Sequence, residues 1–250
     1  MTEGALGTAI VTGGAGFLGA HLVRRLAAAG FTVRLVDVAP RPAELAIDVD
    51  HVQVDVVDRP GLERAVAGAD VVVHAAFASP RASVERIRAV NVEGTRNLCA
   101  AAAHAGATRV VVVSSTIVTR RTRRHPVRSS ALGRLDAYRS SRRDAEDVAL
   151  SAVHPGFEVS VARPKTFLGS GRVGAFALVF DLIRRGRSVP VLGDGQNHYQ
   201  LLAVGDLVEA LVRLAKTGSG AYALGASRFG TIAEDLSALL DHAATGARLR

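Results

Sequence analysis

Apolar positions along this chain come in short unbroken runs, and each run is followed by a stretch where they recur every three or four residues. The first run is Thr8-Ala9-Ile10-Val11, and a helical pattern through His21 to Ala29 follows it and stops at Gly30. A second run, Phe31 to Val36, ends at Asp37; Val52 to Val56 reads as a third strand and Pro60 to Ala67 as a short helix. Val71 to Val73 is all apolar, Val84 to Ala105 is a long helical pattern closed by Gly106, and Val110 to Val113 is another buried run. A helix over Ala137 to Val153 is stopped by Pro155 and Gly156, and Val159 to Val161 supplies a sixth strand. Strands that are apolar on both sides need cover on both faces, which a parallel sheet between two helix layers provides. The pattern therefore predicts an α/β fold, a doubly wound parallel sheet.

Beyond Arg163-Pro164 the rhythm loosens. Helices are expected over Gly174 to Arg185, Gly205 to Lys216 and Ile232 to Ala243, with short strands near Val189 and Gln200. This predicts a sheet domain over residues 1–164 and a small C-terminal substrate lobe over 165–250 that interleaves with it.

Between the first run and the first helix lies Thr12-Gly13-Gly14-Ala15-Gly16-Phe17-Leu18-Gly19, and Asp37 stands eighteen residues after Gly19. A strand, a glycine-rich turn and a helix N-terminus in that order form a pyrophosphate cradle. Gly13 permits the tight turn, Gly16 lets a phosphate approach the backbone, and Gly19 lets helix and strand pack closely. The open N–H groups and positive dipole end of the helix face the phosphates. A carboxylate at Asp37 can accept both hydrogen bonds of an adenosine ribose diol and repels a 2′-phosphate, so the expected cofactor is NAD rather than NADP.

Composition narrows the alternatives. The 250 residues are 48% hydrophobic, which suits a buried sheet and excludes a disordered chain. The single cysteine, Cys99, allows no intrachain disulfide and reads as a small buried apolar residue of a cytoplasmic protein. The N-terminal residues resemble no signal peptide, and no uncharged apolar run reaches the length of a membrane span. Net charge is +8, yet residues 120–143 alone hold nine arginines against one acid, Asp136, and the remainder sums to zero. That segment reads either as an attractor for a phosphorylated substrate or as a solvated loop. With 4% aromatic residues it lacks the stacking surface of a nucleic-acid binder. The scattered histidines suggest no metal site, and no Gly-x-Ser-x-Gly elbow suggests a hydrolase.

The motifs continue with Asp55, His74-Ala75-Ala76, Asn91 to Leu98, Ser114-Ser115-Thr116, Tyr138 with Ser141, Arg163-Pro164 and Gln200-Leu201-Leu202. In that order they resemble the extended short-chain dehydrogenase/reductase family, specifically its nucleotide-sugar epimerase and dehydratase branch, with the NAD-binding Rossmann fold. The resemblance implies that Asp55 with Val56 meets the adenine, and that His74, Ala75 and Ala76 line the cofactor where it crosses the sheet edge. His74 reads as a structural hydrogen-bonding residue, and Asn91 ties its helix to the sheet. Ser114, Phe17, Leu18 and Pro164 complete the expected cofactor contacts. Tyr138 is implied as the catalytic base and Thr116 as the hydroxyl that holds the same substrate oxygen.

Here the chain departs from the family. A free tyrosine ionises near pH ~10, and the family places a lysine four residues on, one helical turn away, to favour the anion. This chain has Arg142 there, a permanent cation with a wide planar head and no capacity to relay a proton. The resemblance implies that Arg142 joins Tyr138 as a catalytic and cofactor-binding residue, with Arg142 on the nicotinamide ribose. Phe77, Thr116, Lys165, Arg187 and His198 are the expected substrate contacts. His198 and Tyr199 stand where many relatives carry an arginine for the substrate phosphates. The segment Thr116 to Arg121 offers no acid, which disfavours dehydration. The function implied is NAD-dependent epimerisation of a nucleotide-linked or otherwise phosphorylated sugar through a transient keto intermediate. The alternatives are a ketoreductase or dehydrogenase of secondary metabolism and, because of Arg142, a non-catalytic dinucleotide-binding module. A homodimer through the Val84–Ala105 and Ala137–Val153 helices is the expected assembly, with no nucleic-acid or membrane partner.

Overall fold

The computed structural model describes residues 6–119, 131–171, 175–191 and 193–250. Arginines 120, 121, 123, 124 and 128 of the basic segment lie outside the described residues. The chain divides into two units: Met1–Pro164 with Gly205–Leu224, and Lys165–Val204 with Gly225–Arg250. The sequence reading placed the Gly205–Leu224 segment in the lobe; in the structure it belongs with the sheet.

In the first unit, seven parallel strands follow the order β3-β2-β1-β4-β5-β6-β9. They are β1 (Thr8–Thr12), β2 (Thr32–Asp37), β3 (Asp50–Gln53), β4 (Val71–His74), β5 (Arg109–Val113), β6 (Glu158–Pro164) and β9 (Gly220–Leu224). The helices are α1 (Phe17–Ala28), α2 (Arg59–Ala65), α3 (Val84–Arg88), α4 (Gly94–His104), α5 (Ala131–Leu150) and α7 (Val204–Lys216), the last of which takes its first residue from the second unit. This is a doubly wound, Rossmann-like sheet. Ile10, Val36, Val72, Val110, Val112 and Val161 pack on Leu62, Leu98 and Ala149 of α2, α4 and α5. Their strand neighbours Ala9, Val11, Leu35, Val71, Val73 and Val111 are equally buried, because alternate side chains leave opposite faces of the pleat. α1 lies against β1 and β2, and its Arg25 pairs with Glu209 of α7.

Three local differences from the sequence reading bear on the site. β3 ends at Gln53, so Asp55 sits in the turn beyond the strand. The single long helix expected over Val84–Ala105 is two α-helices joined by a π-helical turn, Ala89–Glu93, which contains the buried Asn91. β9 was not anticipated: its run Ala221-Tyr222-Ala223-Leu224 is short and its first three residues are exposed, and pairing with β6 makes it a strand.

In the second unit, β7 (Thr166–Leu168) pairs in parallel with β8 (Leu201–Ala203). Helix α6 (Ala175–Arg184) packs with α8 (Ile232–Ala243). α8 opens on a capping box between Thr231 and Glu234, the local device that fixes a helix start independently of packing. A cavity of about 510 Å³ in this unit is lined by Leu168, Gly169, Phe180, Leu201 and Leu202 among others. No helix among the described residues is long and apolar enough to cross a membrane.

Candidate active site

The strand order reverses between β1 and β4, and the carboxyl ends of those neighbours open a crevice of the kind in which doubly wound sheets bind ligands. On the β1 side is the glycine turn. Gly13 has φ +70°, and a Cβ there would lie 2.6 Å from the Ala75 carbonyl, so a side chain is barred by both backbone conformation and space. A Cβ at Gly19 would overlap the Gly13 carbonyl oxygen. α1 begins after Gly16 with no side-chain cap, leaving its N-terminus to the crevice that Gly13 and Gly16 line.

That crevice is a cavity of about 330 Å³ bounded by the glycine turn, the ends of β2 and β3, the Ala75–Ser79 segment and α3. Asp37 lies in it. One of its carboxylate oxygens accepts the Ala15 N–H (3.0 Å) and the other the Ala39 N–H (3.0 Å), which ties the glycine turn to the end of β2. Asp55 and Val56 also line it. The Asp55 carboxylate accepts the Val57 N–H and an Arg86 Nη2 (2.5 Å).

The β4 end is closed by a buried polar chain. Thr95 Oγ1 donates to the Asn91 carbonyl (2.6 Å), so its one proton is committed and His74 Nε2 must donate to it (3.0 Å). His74 Nδ1 then accepts from Thr12 Oγ1 (2.7 Å). Burial, followed by the nearby Arg142 cation, pushes His74 down to about 3, so the ring is a neutral spacer that links β1, β4 and α4. Asn91 Oδ1 accepts the Ala78 N–H (2.8 Å), and its Nδ2 donates to Ser141 Oγ (2.9 Å). One amide thus holds the segment after β4 to α5.

α5 brings Tyr138, Arg142 and Glu146 inward at four-residue spacing. Arg142 is 4% exposed; Nη2 donates to the Val113 carbonyl at the end of β5 (2.7 Å), and the guanidinium carbon lies 3.5 Å over the Phe77 ring and 5.8 Å from the Tyr138 ring centroid. Burial pulls Arg142 below its ordinary value, while Tyr138 and Glu146 act the other way. Glu146, 2% exposed, clamps Arg163 of β6 through both carboxylate oxygens (2.6–3.2 Å). Thr116 opens a 3-10 turn (Thr116–Thr119); its hydroxyl donates to the Pro164 carbonyl (3.4 Å), and Arg143 holds the turn through the Val118 carbonyl (2.5 Å).

Glycine turn, Asp37, Asp55, Val56, His74, Ala75, Ala76, Phe77, Asn91, Ser114, Thr116, Tyr138, Arg142 and Pro164 therefore all belong to the first unit. Phe77, expected at the substrate, packs on Arg142 and on the His74 ring (4.8 Å) and lines the crevice. Lys165, Arg187 and His198 belong to the second unit and are exposed; His198 Nδ1 meets the Gly230 carbonyl (3.3 Å). Arg86 and the Glu146–Arg163 clamp were not among the expected site residues. The Tyr138-Arg142-Glu146 spacing was a visible signal for Glu146, whereas nothing in the sequence marked Arg86. Among the described residues, no group of three His, Cys, Asp or Glu side chains could hold a metal ion.

The model of the NAD dependent epimerase/dehydratase family matches residues 9–225. The chain belongs to this family. The uncharacterized protein y4nG of Sinorhizobium fredii (strain NBRC 101917 / NGR234) is 32% identical over 97% of this chain and 62% of its own length. The ceramide reductase of Caulobacter vibrioides (strain NA1000 / CB15N) is 33% identical over 87% of this chain and 63% of its own length. The chain thus spans about three fifths of these curated relatives. Among solved structures, MoeE5 in complex with UDP-glucose and NAD superposes with a TM-score of 0.76 at 26% identity, over 98% of this chain and 85% of that one.

The residues present fit the dinucleotide of the family. The cradle at Gly13 and Gly19 is one that a Cβ would fill, and α1 offers an uncapped N-terminus to the same cavity. Ser114 Oγ and Arg142 Nε are buried without a hydrogen-bond partner among the described residues, a pair of idle polar atoms where β5 meets α5.

Proposed function

We propose that this protein binds NAD in the first unit and oxidises a secondary hydroxyl of a small-molecule substrate to a ketone, in the manner of a nucleotide-sugar epimerase. The observation that supports it most is the meeting, at neighbouring strand ends, of the glycine turn after β1 with a Tyr138–Arg142 pair anchored to β5 and, through Asn91, to the segment after β4.

When bound, NAD supplies the hydride acceptor. Phe17 and Leu18, at the uncapped start of α1, would hold the pyrophosphate by backbone amides; Gly13, Gly16 and Gly19 give the turn, the close approach and the packing that admit it, and Asp37 would hold the adenosine ribose. Tyr138 takes the proton of the substrate hydroxyl, and Thr116 orients that oxygen. Arg142 sets a guanidinium 5.8 Å from the Tyr138 ring centroid but cannot pass a proton on. Inversion would require the ketone to present its opposite face to the cofactor, and Tyr138 would return the proton to the same oxygen. Lys165, Arg187 and His198 are the proposed contacts for a phosphorylated sugar. A cytoplasmic homodimer through α3–α4 and α5 completes this reading. A strict monomer in light scattering at micromolar concentration overturns the dimer.

A second reading has its own support. The second-unit cavity is lined by Leu168, Phe180, Leu201 and Leu202, an apolar surface better suited to a lipophilic ketone than to a sugar phosphate. Similarity to a ceramide reductase points the same way. Under that reading the same Tyr138 donates a proton to a ketone during net reduction, and the dinucleotide exchanges every turnover.

The deciding experiment is mass spectrometry of the dinucleotide released by denaturing the purified protein. NAD retained at one per chain supports self-contained epimerisation. Protein that comes empty but binds NAD(H) on titration supports net reduction. Protein that binds neither NAD nor NADP overturns both.

A further inference from the structure

The adenosine end of the cavity carries a feature that the family resemblance does not assign. Asp55 is expected to meet the adenine, yet its carboxylate is paired with a cation: the Val57 N–H sits on one oxygen and Arg86 Nη2 on the other. Among the described residues Arg86 is the one cation lining that cavity, beside small and aliphatic residues such as Ala76, Ala78 and Val56. Its backbone is fixed, since Ser83 caps α3 by accepting the Arg86 N–H (3.1 Å). Its side chain, 44% exposed, crosses from α3 to the turn after β3.

Two consequences follow. The ion pair cancels the Asp55 charge, so that acid no longer presents a bare carboxylate to a base edge. A guanidinium is planar, weakly hydrated and prone to stack on aromatic rings, which makes it a wall for a heterocycle. An exposed ion pair of this kind adds little stability by itself, so its position in the cavity matters more than its strength.

We infer that Arg86 is a specificity residue for the adenosine end, a cationic wall against the adenine, and that Asp55 serves as its anchor rather than as a direct adenine ligand. This rests on the reading that the cavity takes a dinucleotide.

Isothermal titration of the purified protein, stripped of any bound dinucleotide, with ADP-ribose, NAD and NADP tests it without recourse to turnover. Arg86→Ala should weaken ADP-ribose and NAD together by about tenfold. Arg86→Lys should lose nearly as much, because an ammonium keeps the charge without the plane. Asp55→Asn should weaken both ligands by a smaller factor, and the double variant should bind no worse than Arg86→Ala. Arg88→Ala, an exposed arginine on the same helix, should leave affinity unchanged, which separates a specific wall from general attraction. Affinity of Arg86→Ala for ADP-ribose within twofold of the native protein overturns the inference. So does a loss confined to NADP, which would make Arg86 a phosphate ligand, or a double variant much weaker than either single one, which would restore Asp55 as a direct ligand. Native protein that binds neither ADP-ribose nor NAD sinks the proposed function itself, a result distinct from all of these.

Discussion

The glycine turn after β1 and the inner face of α5 flank the same strand edge, and they are constructed in opposite ways. The turn works by what it lacks: Gly13 and Gly19 leave backbone against backbone, and the donors are main-chain amides whose positions follow from φ and ψ. α5 works by what it buries: Arg142 and Glu146 are almost wholly removed from water, and each survives there only through partners on β5, β6 and the Ala75–Ser79 segment. A backbone device of this kind tolerates no added atom, whereas a buried-charge device tolerates no missing partner.

That contrast can be broken from the glycine side first. Gly19→Ala drives a methyl into the Gly13 carbonyl and the Gly14 backbone, and should cost about 3 kcal/mol with loss of dinucleotide binding. Urea unfolding reads the first effect and titration calorimetry the second; a variant of native stability would show that the turn can relax. On the α5 side, Glu146→Gln leaves Arg163 and Arg142 without their shared acid. Arg163 keeps some water, so the expected loss is about 2 kcal/mol rather than the full penalty of a buried pair. Unchanged stability would mean that the clamp is ornamental to the fold.

His74 sharpens the comparison through pH. It ionises near ~6.5 when unfolded and about 3 when folded. The unfolded chain therefore takes up a proton that the folded one refuses. Its contribution is complete above pH ~6.5 and drains away as pH falls toward about 3, at about 1.4 kcal/mol per unit. Between pH 7 and 5 the native protein should lose about 2 kcal/mol more than His74→Gln does. Parallel curves for the two would remove His74 from the account.

The smallest effect concerns the residue that departs from the family. Arg142→Lys restores the common lysine but discards the Phe77 stack and the planar reach to Val113, so it should lower stability by about 1 kcal/mol and slow turnover rather than improve it. A faster, equally stable variant would show that the arginine is a mere substitute and Phe77 a bystander.

Much of this was open to sequence reasoning. The α8 boundaries, Ile232 to Ala243, coincide with those expected, because a capping box and apolar periodicity are local signals. The succession of strands from β1 to β6 followed from short valine-rich and otherwise apolar runs, although β3 lies at Asp50–Gln53 rather than at the expected Val52–Val56. β9 did not, since its short run holds no β-branched residue and three of its side chains end up exposed, and the π-helical turn did not, since its helical periodicity looks continuous around Asn91. At the site, Tyr138 and Arg142 were visible as a four-residue spacing, but the Phe77 ring beneath Arg142 was not, because 65 residues of chain separate them.

By itself, then, the order of residues determined the backbone devices: the glycine turn, the acid at the end of β2, the caps and stops of helices, and with them the family. These depend on φ, ψ and hydrogen bonds within a few residues. Tertiary structure alone decided which charges met: Arg86 on Asp55, Arg142 on Phe77 and Val113, Glu146 on Arg163. Such pairings arise where distant segments exclude water together, and the energy of a buried charge is set by that shared enclosure rather than by its neighbours along the chain.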